Sequence, residues 1–204
     1  MRRAAGAVSG VTMLDQLLAQ PAQRLPRSVD DPGRPEAAVA LLLAPQPDLL
    51  LLIRRAEREG DPWSGHLALP GGRRHLGDAD LLATAIRETE EETGIQLQRA
   101  WCRLQLDDLV PRTPALPPIL VRPFVFLLSE APPPGTSGEV VHAGWVPLAQ
   151  LAAEGAFTSR TVHIRGEARV VDGYQLSEGF LWGMTERILT PVLAQWRGVG
   201  QRSG

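Results

Sequence analysis

The chain has no lysine: all 21 of its Lys and Arg residues are arginine. That absence removes two chemistries, because a Walker-type phosphate loop and Schiff-base catalysis both depend on a lysine amine. Phosphate recognition would have to use arginine, whose planar fork suits it. Cysteine is almost missing as well. The single Cys102 permits neither an intramolecular disulfide nor a cysteine-based zinc cluster, which points to a reducing cytoplasm. It lies in an apolar-alternating stretch, where a small buried hydrophobe is the expected role. No apolar run approaches the roughly 20 residues that span a bilayer, so no membrane partner is expected. A formal net charge of −2 argues against general nucleic-acid or membrane-surface binding. The opening Met1-Arg2-Arg3-Ala4-Ala5-Gly6-Ala7 lacks an apolar h-region and reads as a frayed tail, not a signal peptide.

What is present is enough for one domain. The 204 residues are 44% apolar, which supports a substantial core. Leu14 to Leu18 suggests a short N-terminal helix, and the Pro- and Asp-containing stretch 26–35 reads as a linker. Residues 37–43 and 49–53 read as two buried strands around the turn Pro45-Gln46-Pro47-Asp48. A helix is expected from about Asp80 to Thr93, with Leu82, Ala85, Ile86 and Thr89 toward a sheet and Glu88, Glu91 and Glu92 outward. Strands follow near 98–106, 119–128 and 139–146, then a short helix 148–153 and a hairpin near 160–172 turning at Arg165-Gly166-Glu167. A terminal amphipathic helix is expected over 179–196. Strands on both sides of one central helix, with a helix at the end, suit an α/β (α+β) fold, an α/β/α sandwich around a mixed sheet. The expected organisation is a tail at 1–35, a domain at 36–196 and a tail at 197–204.

The chemistry concentrates in Leu69-Pro70-Gly71-Gly72 and in Arg87-Glu88-Thr89-Glu90-Glu91-Glu92-Thr93-Gly94-Ile95. Glu88, Glu91 and Glu92 stand at i, i+3 and i+4 and share one helix face. Like charges at that spacing cost a bare helix a few tenths of a kcal/mol per pair, and a cation between them reverses the sign. Oxygen ligands without Cys or His select a hard ion such as Mg²⁺, with Mn²⁺ as the alternative. A Glu-rich helix by itself is most often a solvated face. Here Gly94 supplies a helix stop, and Pro70-Gly71-Gly72 supplies a loop whose backbone can approach a ligand. The four parts together are far more specific than any one.

These residues resemble the Nudix hydrolase signature, G-x5-E-x7-R-E-U-x-E-E-x-G-U with U a bulky apolar residue. Arg87, Glu88, Glu91, Glu92, Gly94 and Ile95 match, and Thr89 takes the first apolar place. Gly72 lies one residue too far from Arg87, and the first Glu has no exact counterpart, leaving Asp78 or Asp80 to serve. The longer loop resembles the coenzyme A pyrophosphatase branch, as do Arg55-Ala56, Gly65 and Trp182-Gly183-Met184-Thr185. The branch spacing is broken, however: Asp61 stands where a second Arg would fall, with Arg58 as a shifted substitute, and Leu69 replaces Phe.

The resemblance implies a Nudix-type fold and hydrolysis of a phosphoanhydride in a nucleoside diphosphate linked to another group. It implies Glu88, Glu92 and Glu91 as metal ligands, with a backbone carbonyl near Gly71 adding an oxygen, and Arg87 orienting a catalytic carboxylate. The proton acceptor stays open among Glu91, Glu88 and, third, Glu139. Gly71, Gly72 and Arg55 are the expected substrate contacts; of the adjacent Arg54 and Arg55 only one can face the ligand from a strand, and Arg55 matches the branch motif. For coenzyme A the products would be 3′,5′-ADP and 4′-phosphopantetheine. ADP-ribose, nucleotide sugars, dinucleoside polyphosphates and capped or oxidised nucleotides are the alternatives. A catalytically silent nucleotide-sensing domain is the alternative of another class, disfavoured because all three carboxylates remain. His66 and His75 are expected as structural hydrogen-bonders. Trp63, Tyr174 and Phe180 are candidates to stack on a base, though tryptophans mostly pack cores and edges. Oligomeric state stays open, with a homodimer the commonest symmetric assembly.

Overall fold

Small and large apolar residues alternate along Glu36–Ala44, and the strand they form, β1, is buried on both faces. Ala38, Ala40, Leu42 and Ala44 enter one core cluster; Leu41 and Leu43 enter another. A strand with two buried faces needs a covering layer on each side. The computed structural model of the chain describes residues 26–29, 31, 33–45, 48–58, 64–111, 118–164 and 166–200, with backbone alone at 195–200. The expected helix at 14–18, the turn residues Gln46 and Pro47, and Asp61, Trp63 and Arg165 fall outside that range.

The elements run β1, β2 (Leu49–Arg55), β3 (Leu67–Ala68), β4 (Gly71–Arg73), α1 (Leu81–Thr93), β5 (Cys102–Gln105), β6 (Leu120–Leu127), β7 (Val140–Pro147), α2 (Leu148–Ala152), β8 (Phe157–Ile164), β9 (Glu167–Leu176), β10 (Gly179–Trp182) and α3 (Met184–Gly200). Seven strands make a mixed sheet. β6 runs parallel to β1 along its length, β5 is antiparallel to β6, and β7 is antiparallel to β2.

β1 and β2 pair with each other only at Leu43 with Leu50 and Ala44 with Leu49. Beyond those pairs the two strands part. Their other edges are already taken by β6 and β7, so β3 joining β2 and β4 joining β1 must enter the opening between them. The Pro70 carbonyl caps the junction by accepting from the Ala40 amide at 2.8 Å. The glycine loop thus sits in a fork of the central sheet.

α1 covers one face through Leu81 and Ala85, while Ile188, Leu189 and Leu193 of α3 cover the other with α2 and the base of a second sheet. Each fully buried leucine or isoleucine contributes about 1.5–3 kcal/mol. The result is the expected α/β/α sandwich. The second sheet is small, ordered β10-β9-β8. Tyr174, Leu176 and Leu181 root it in the core, whereas most of β8 and the first half of β9 are exposed.

Four details differ from the sequence reading. The stretch 179–182 is a strand, and the terminal helix begins only at Met184, after Gly183 turns the chain at φ 74°. Phe180-Leu181-Trp182 is too short an apolar run to show whether its period is 2 or 3.6. The strand expected near 98–106 is confined to Cys102–Gln105 behind a 3-10 turn at Arg99–Trp101. The hairpin is longer, spanning Phe157 to Leu176. Residues 26–29, assigned to the linker, are hydrogen-bonded: the Arg27 amide donates to Asp107 at 2.9 Å and the Val29 amide to Asp108 at 2.7 Å. Asp108 is itself gripped by both arms of Arg122, each at 2.7 Å. Among the described residues no helix is long and apolar enough to cross a membrane.

Candidate active site

α1 carries the acidic triad because both ends of the helix are fixed. Asp80 caps the N-terminus by accepting from the Ala83 amide at 2.8 Å, and its carboxylate also takes the Arg99 fork. The Arg99 guanidinium first, and the Ala83 amide second, hold the Asp80 carboxyl down at about 2. Gly94 ends the helix in the left-handed region at φ 71°, with its amide donating to the Glu90 carbonyl at 2.8 Å. The sequence departure at Thr89 is absorbed locally. Its hydroxyl donates to the Ala85 carbonyl at 2.7 Å, so a fully buried position carries no unmet polar group.

Burial then separates the three carboxylates that the sequence left equivalent. Glu92 is 4% exposed, which corrects the expectation that all three point outward. Its neighbours Thr89 and Thr93 are buried too, so the core-facing stripe is wider than the apolar residues alone suggest. One Glu92 oxygen accepts from the Gly71 amide at 2.8 Å, and the other lies 3.9 Å from the Arg55 guanidinium. Burial nevertheless pushes its carboxyl up to about 7, despite that amide and that cation. Glu88 is raised as well, again by burial, with Arg87 opposing. Glu91 is the exposed member, at 56%.

Arg87 ties the loop to the helix. Its fork donates to both oxygens of Asp78 at 2.9 and 3.0 Å, and to the Arg73 carbonyl at 3.0 Å. It also meets Glu88 and Glu91, each at 2.9 Å. Asp78 in turn accepts from the His75 amide and the Thr84 hydroxyl, both at 2.9 Å. The Arg87 guanidinium holds Asp78 well below the usual carboxylate range. Of the two aspartates left open by the sequence, Asp78 anchors the lengthened loop and Asp80 caps the helix.

The two glycines differ in what they permit. Gly71 sits at φ 151°, and a β-carbon there would overlap the Ala38 carbonyl and the Val39 backbone. At Gly72 a β-carbon would overlap the Glu88 carboxyl group, a side-chain terminus rather than a backbone atom. The first glycine lets β4 lie against β1; the second lets Glu88 lie against the loop.

A cleft of about 900 Å³ opens over this corner. Its acidic end holds Glu88, Glu91, Glu92 and Glu139 beside Gly71, Gly72 and Arg55. Its far wall comes from the second sheet and the start of α3, including Trp182, Arg169 and Arg187. The structure thus brings together every expected site residue, with Arg87 as the brace behind them.

Arg54 is turned elsewhere, to the carbonyls of Gly65 and Glu178, and the pairing of β2 with β7 shifts register between Arg54 and Arg55. Arg58 pairs with Glu139 at 3.1 Å. Neither Tyr174 nor Phe180 lines the cleft: Tyr174 is buried with its hydroxyl 2.9 Å from that of Thr190, and Phe180 carries the Arg160 guanidinium 5.4 Å from its ring centre. The aromatic wall is Trp182, whose ring meets that of His66 in a tilted contact at 57° with ring centres 4.6 Å apart. Sequence reasoning missed Trp182, Arg169 and Arg187 as cleft residues. Their only signal was residue type, since the second sheet that gathers them was read in part as helix.

Among the described residues no three His, Cys, Asp or Glu side chains are arranged to hold a metal ion together. Glu88 and Glu91 are turned onto Arg87, and Glu92 onto the Gly71 amide. The donor chemistry still fits a hard divalent cation. The candidate side-chain ligands are all carboxylates, and two of them carry a burial penalty that a cation would relieve.

Comparison with known proteins bears on the same stretch of chain. The NUDIX domain family model matches residues 33–164. An uncharacterised Nudix hydrolase, NudL, of Photorhabdus laumondii is 31% identical over 175 residues, covering 83% of this chain and 89% of that protein. An uncharacterised protein of Schizosaccharomyces pombe is 43% identical over 107 residues, covering 50% of this chain but only 32% of its own length. Among solved structures, a bifunctional NMN adenylyltransferase/ADP ribose pyrophosphatase of Francisella tularensis, complexed with AMP and a Mn ion, is similar in fold. It superposes with a TM-score of 0.57 at 16% identity, over 82% of this chain and 43% of that one.

Proposed function

The chain belongs to the NUDIX domain family, and from that premise we propose that it hydrolyses the diphosphate linkage of a nucleoside diphosphate-X compound, with coenzyme A and its derivatives as the first candidate. One observation carries the reading. Glu92, a buried carboxylate whose pKa is lifted to about 7, sits on the Gly71 amide beside Glu88 at the acidic end of a large cleft. Shifted carboxylates in a cleft are a mark of functional sites.

Glu88 and Glu92, with Glu91 and the Gly71 backbone carbonyl, would hold Mg²⁺ or Mn²⁺. When bound, the metal supplies charge neutralisation for the diphosphate and lowers the pKa of water. The chain's own groups then position and deprotonate. Arg55 meets the diphosphate as a charged fork. Arg87 holds Glu88 and Glu91 in place. A carboxylate accepts the proton of the attacking water; Glu91 is the first candidate, Glu88 the second and Glu139 the third. Attack on one phosphorus breaks its bond to the bridging oxygen, and coenzyme A yields 3′,5′-ADP and 4′-phosphopantetheine.

Support for coenzyme A comes from the lengthened loop anchored by Asp78 and from the cleft, whose volume lies at the upper end for small-molecule sites and whose far wall mixes apolar and arginine side chains. The alternative is ADP-ribose, a nucleotide sugar or a dinucleoside polyphosphate. It draws on the fold neighbour, which is an ADP ribose pyrophosphatase, and on the upstream branch motif, in which Arg58 is engaged by Glu139. A reducing cytoplasmic setting remains part of the proposal, as does a homodimer. The test is a substrate panel with Mg²⁺ and with Mn²⁺. Turnover of coenzyme A or its thioesters supports the specific reading, and turnover of other diphosphates alone transfers it to the alternative.

A further inference from the structure

The short strand β4 keeps opposite charges on its two faces. Its register with β1 fixes those faces: Gly72 lies opposite Ala38, and Arg73 lies opposite Ala37. Residues directly opposite each other in a sheet share a face. Ala38 packs in the cluster beneath α1, and a β-carbon at Gly72 would meet the Glu88 carboxyl group. Ala37 packs instead with Ile119, Val121 and Met184, on the side of α3. Arg73 therefore leaves the sheet on the face away from the acidic triad, and it lines the cleft together with Val121 and Met184. Two residues at strand rise put it about 7 Å along β4 from Gly71, whose amide holds Glu92.

Among the described residues four arginines line the cleft, and Arg73 differs from the other three. Arg55 lies 3.9 Å from Glu92, Arg169 pairs with Glu167 at 2.8 Å, and Arg187 donates to the Val110 carbonyl at 2.9 Å. The exposed Arg73 guanidinium makes no hydrogen bond or ion pair with any described residue. The cleft carboxylates have other partners. Glu88 and Glu91 meet Arg87, Glu92 the Gly71 amide and Glu139 Arg58, while Asp172 and Glu186 accept from the Ser159 and Thr190 hydroxyls. The Arg73 backbone is nevertheless fixed. Its carbonyl accepts from Arg87 at 3.0 Å, and the adjacent Arg74 amide donates to the Glu36 carbonyl at 2.9 Å. Strand alternation explains why the charge stays available: on the other face of β4 the same side chain would meet Glu88.

We propose that Arg73 is a substrate-binding residue, which grips non-bridging oxygens of the diphosphate from the α3 side of β4, across the strand from the carboxylates. The proposal rests on the diphosphate reading of the acidic end and adds to it a contact that no motif assigned. A planar fork of N–H donors matches phosphoryl oxygens, and a guanidinium keeps its charge wherever the carboxylates are ionised.

Calorimetry on the full chain with Mg²⁺ and α,β-methylene-ADP tests the contact without turnover, because the carbon bridge of this probe cannot be hydrolysed. Arg73→Ala leaves the backbone carbonyl in place for Arg87 and should weaken binding about tenfold, within the range for one charge-assisted contact. Arg73→Lys, which keeps the charge but not the fork, should fall between that variant and the parent. Arg103→Ala removes the same charge from an exposed position outside the cleft and should leave affinity within about twofold of the parent. Unchanged affinity in Arg73→Ala, an equal loss in Arg103→Ala, or a parent that does not bind the probe overturns the proposal. Assay of diphosphate hydrolysis separates the two claims. A loss of affinity specific to Arg73→Ala in a chain that hydrolyses no diphosphate leaves the contact standing and removes the hydrolase reading. Hydrolysis by the parent, with the probe bound equally by Arg73→Ala, removes the contact alone.

Discussion

The two ends of the cleft are built differently. At the acidic end, α1 is capped at both termini, the glycine loop lies in the fork between β1 and β2, and Arg87 joins helix, loop and Asp78 through one guanidinium. At the other end, the β8–β9 hairpin joins the core only from Gly173 onward, and the part before it is exposed on most of both faces, with Val170 at 73%. The difference teaches where precision is needed. Reacting groups must be held within fractions of an ångström, so they sit on packed elements whose polar atoms are engaged. The far wall of the cleft is carried by a ribbon that is largely solvated.

Breaking that contrast is most direct at the two glycines. Gly71→Ala should strike the fold itself, because the new β-carbon meets β1 backbone at a left-handed φ; a loss of about 3 kcal/mol or more is expected. Chemical denaturation would register it as a fall in midpoint. Gly72→Ala meets only the Glu88 carboxyl group, so stability should change by less than about 1 kcal/mol while activity falls about 100-fold or more. If both variants lose stability equally, the loop is not the positioning device described here.

Next in size is Asp78→Asn. It removes one partner of a largely buried ion pair, and about 3 kcal/mol of stability should go with it. The sign of the pH effect follows from the depressed carboxyl. Asp78 contributes fully above the ordinary value near 3.8, and that contribution is lost as pH falls below it. Acid titration of stability should therefore be steep in the parent below about pH 4 and flatter in Asp78→Asn, and identical slopes would assign the loop anchor elsewhere. Asp80→Ala, which removes the cap of α1, should cost about 1 kcal/mol. Smallest of all, Val170→Thr on the outer hairpin should stay within about 0.5 kcal/mol of the parent. A large effect there would mean that the hairpin is packed against something in solution.

Much of the acidic end was legible before any coordinates. The i, i+3, i+4 spacing, Gly94 and the Pro70-Gly71-Gly72 loop marked the helix, its stop and the close backbone approach. What stayed hidden was relative burial. Three glutamates on one face look alike in sequence, yet Glu92 lies under the Gly71 amide and Glu91 in solvent, because Thr89 and Thr93 extend the buried stripe by satisfying their hydroxyls within the helix. The choice between Asp78 and Asp80 was undecidable for a similar reason, since it depends on where a lengthened loop folds back. The far wall was least legible. Phe180-Leu181-Trp182 has no distinguishing period, and although a hairpin was expected near 160–172, the register that turns Arg169 toward the cleft and the later start of α3 that places Arg187 there could not be read from a single sequence.

The account turns on Glu92. Products released from coenzyme A in the presence of Mg²⁺ should be followed by mass spectrometry for the parent and for Glu92→Gln, each verified as folded. The predicted result is 3′,5′-ADP and 4′-phosphopantetheine from the parent, and at least about a 100-fold slower reaction from the variant. Parent and variant releasing these products at equal rates, or a parent inert toward coenzyme A and every other nucleoside diphosphate-X compound with either Mg²⁺ or Mn²⁺, would contradict it.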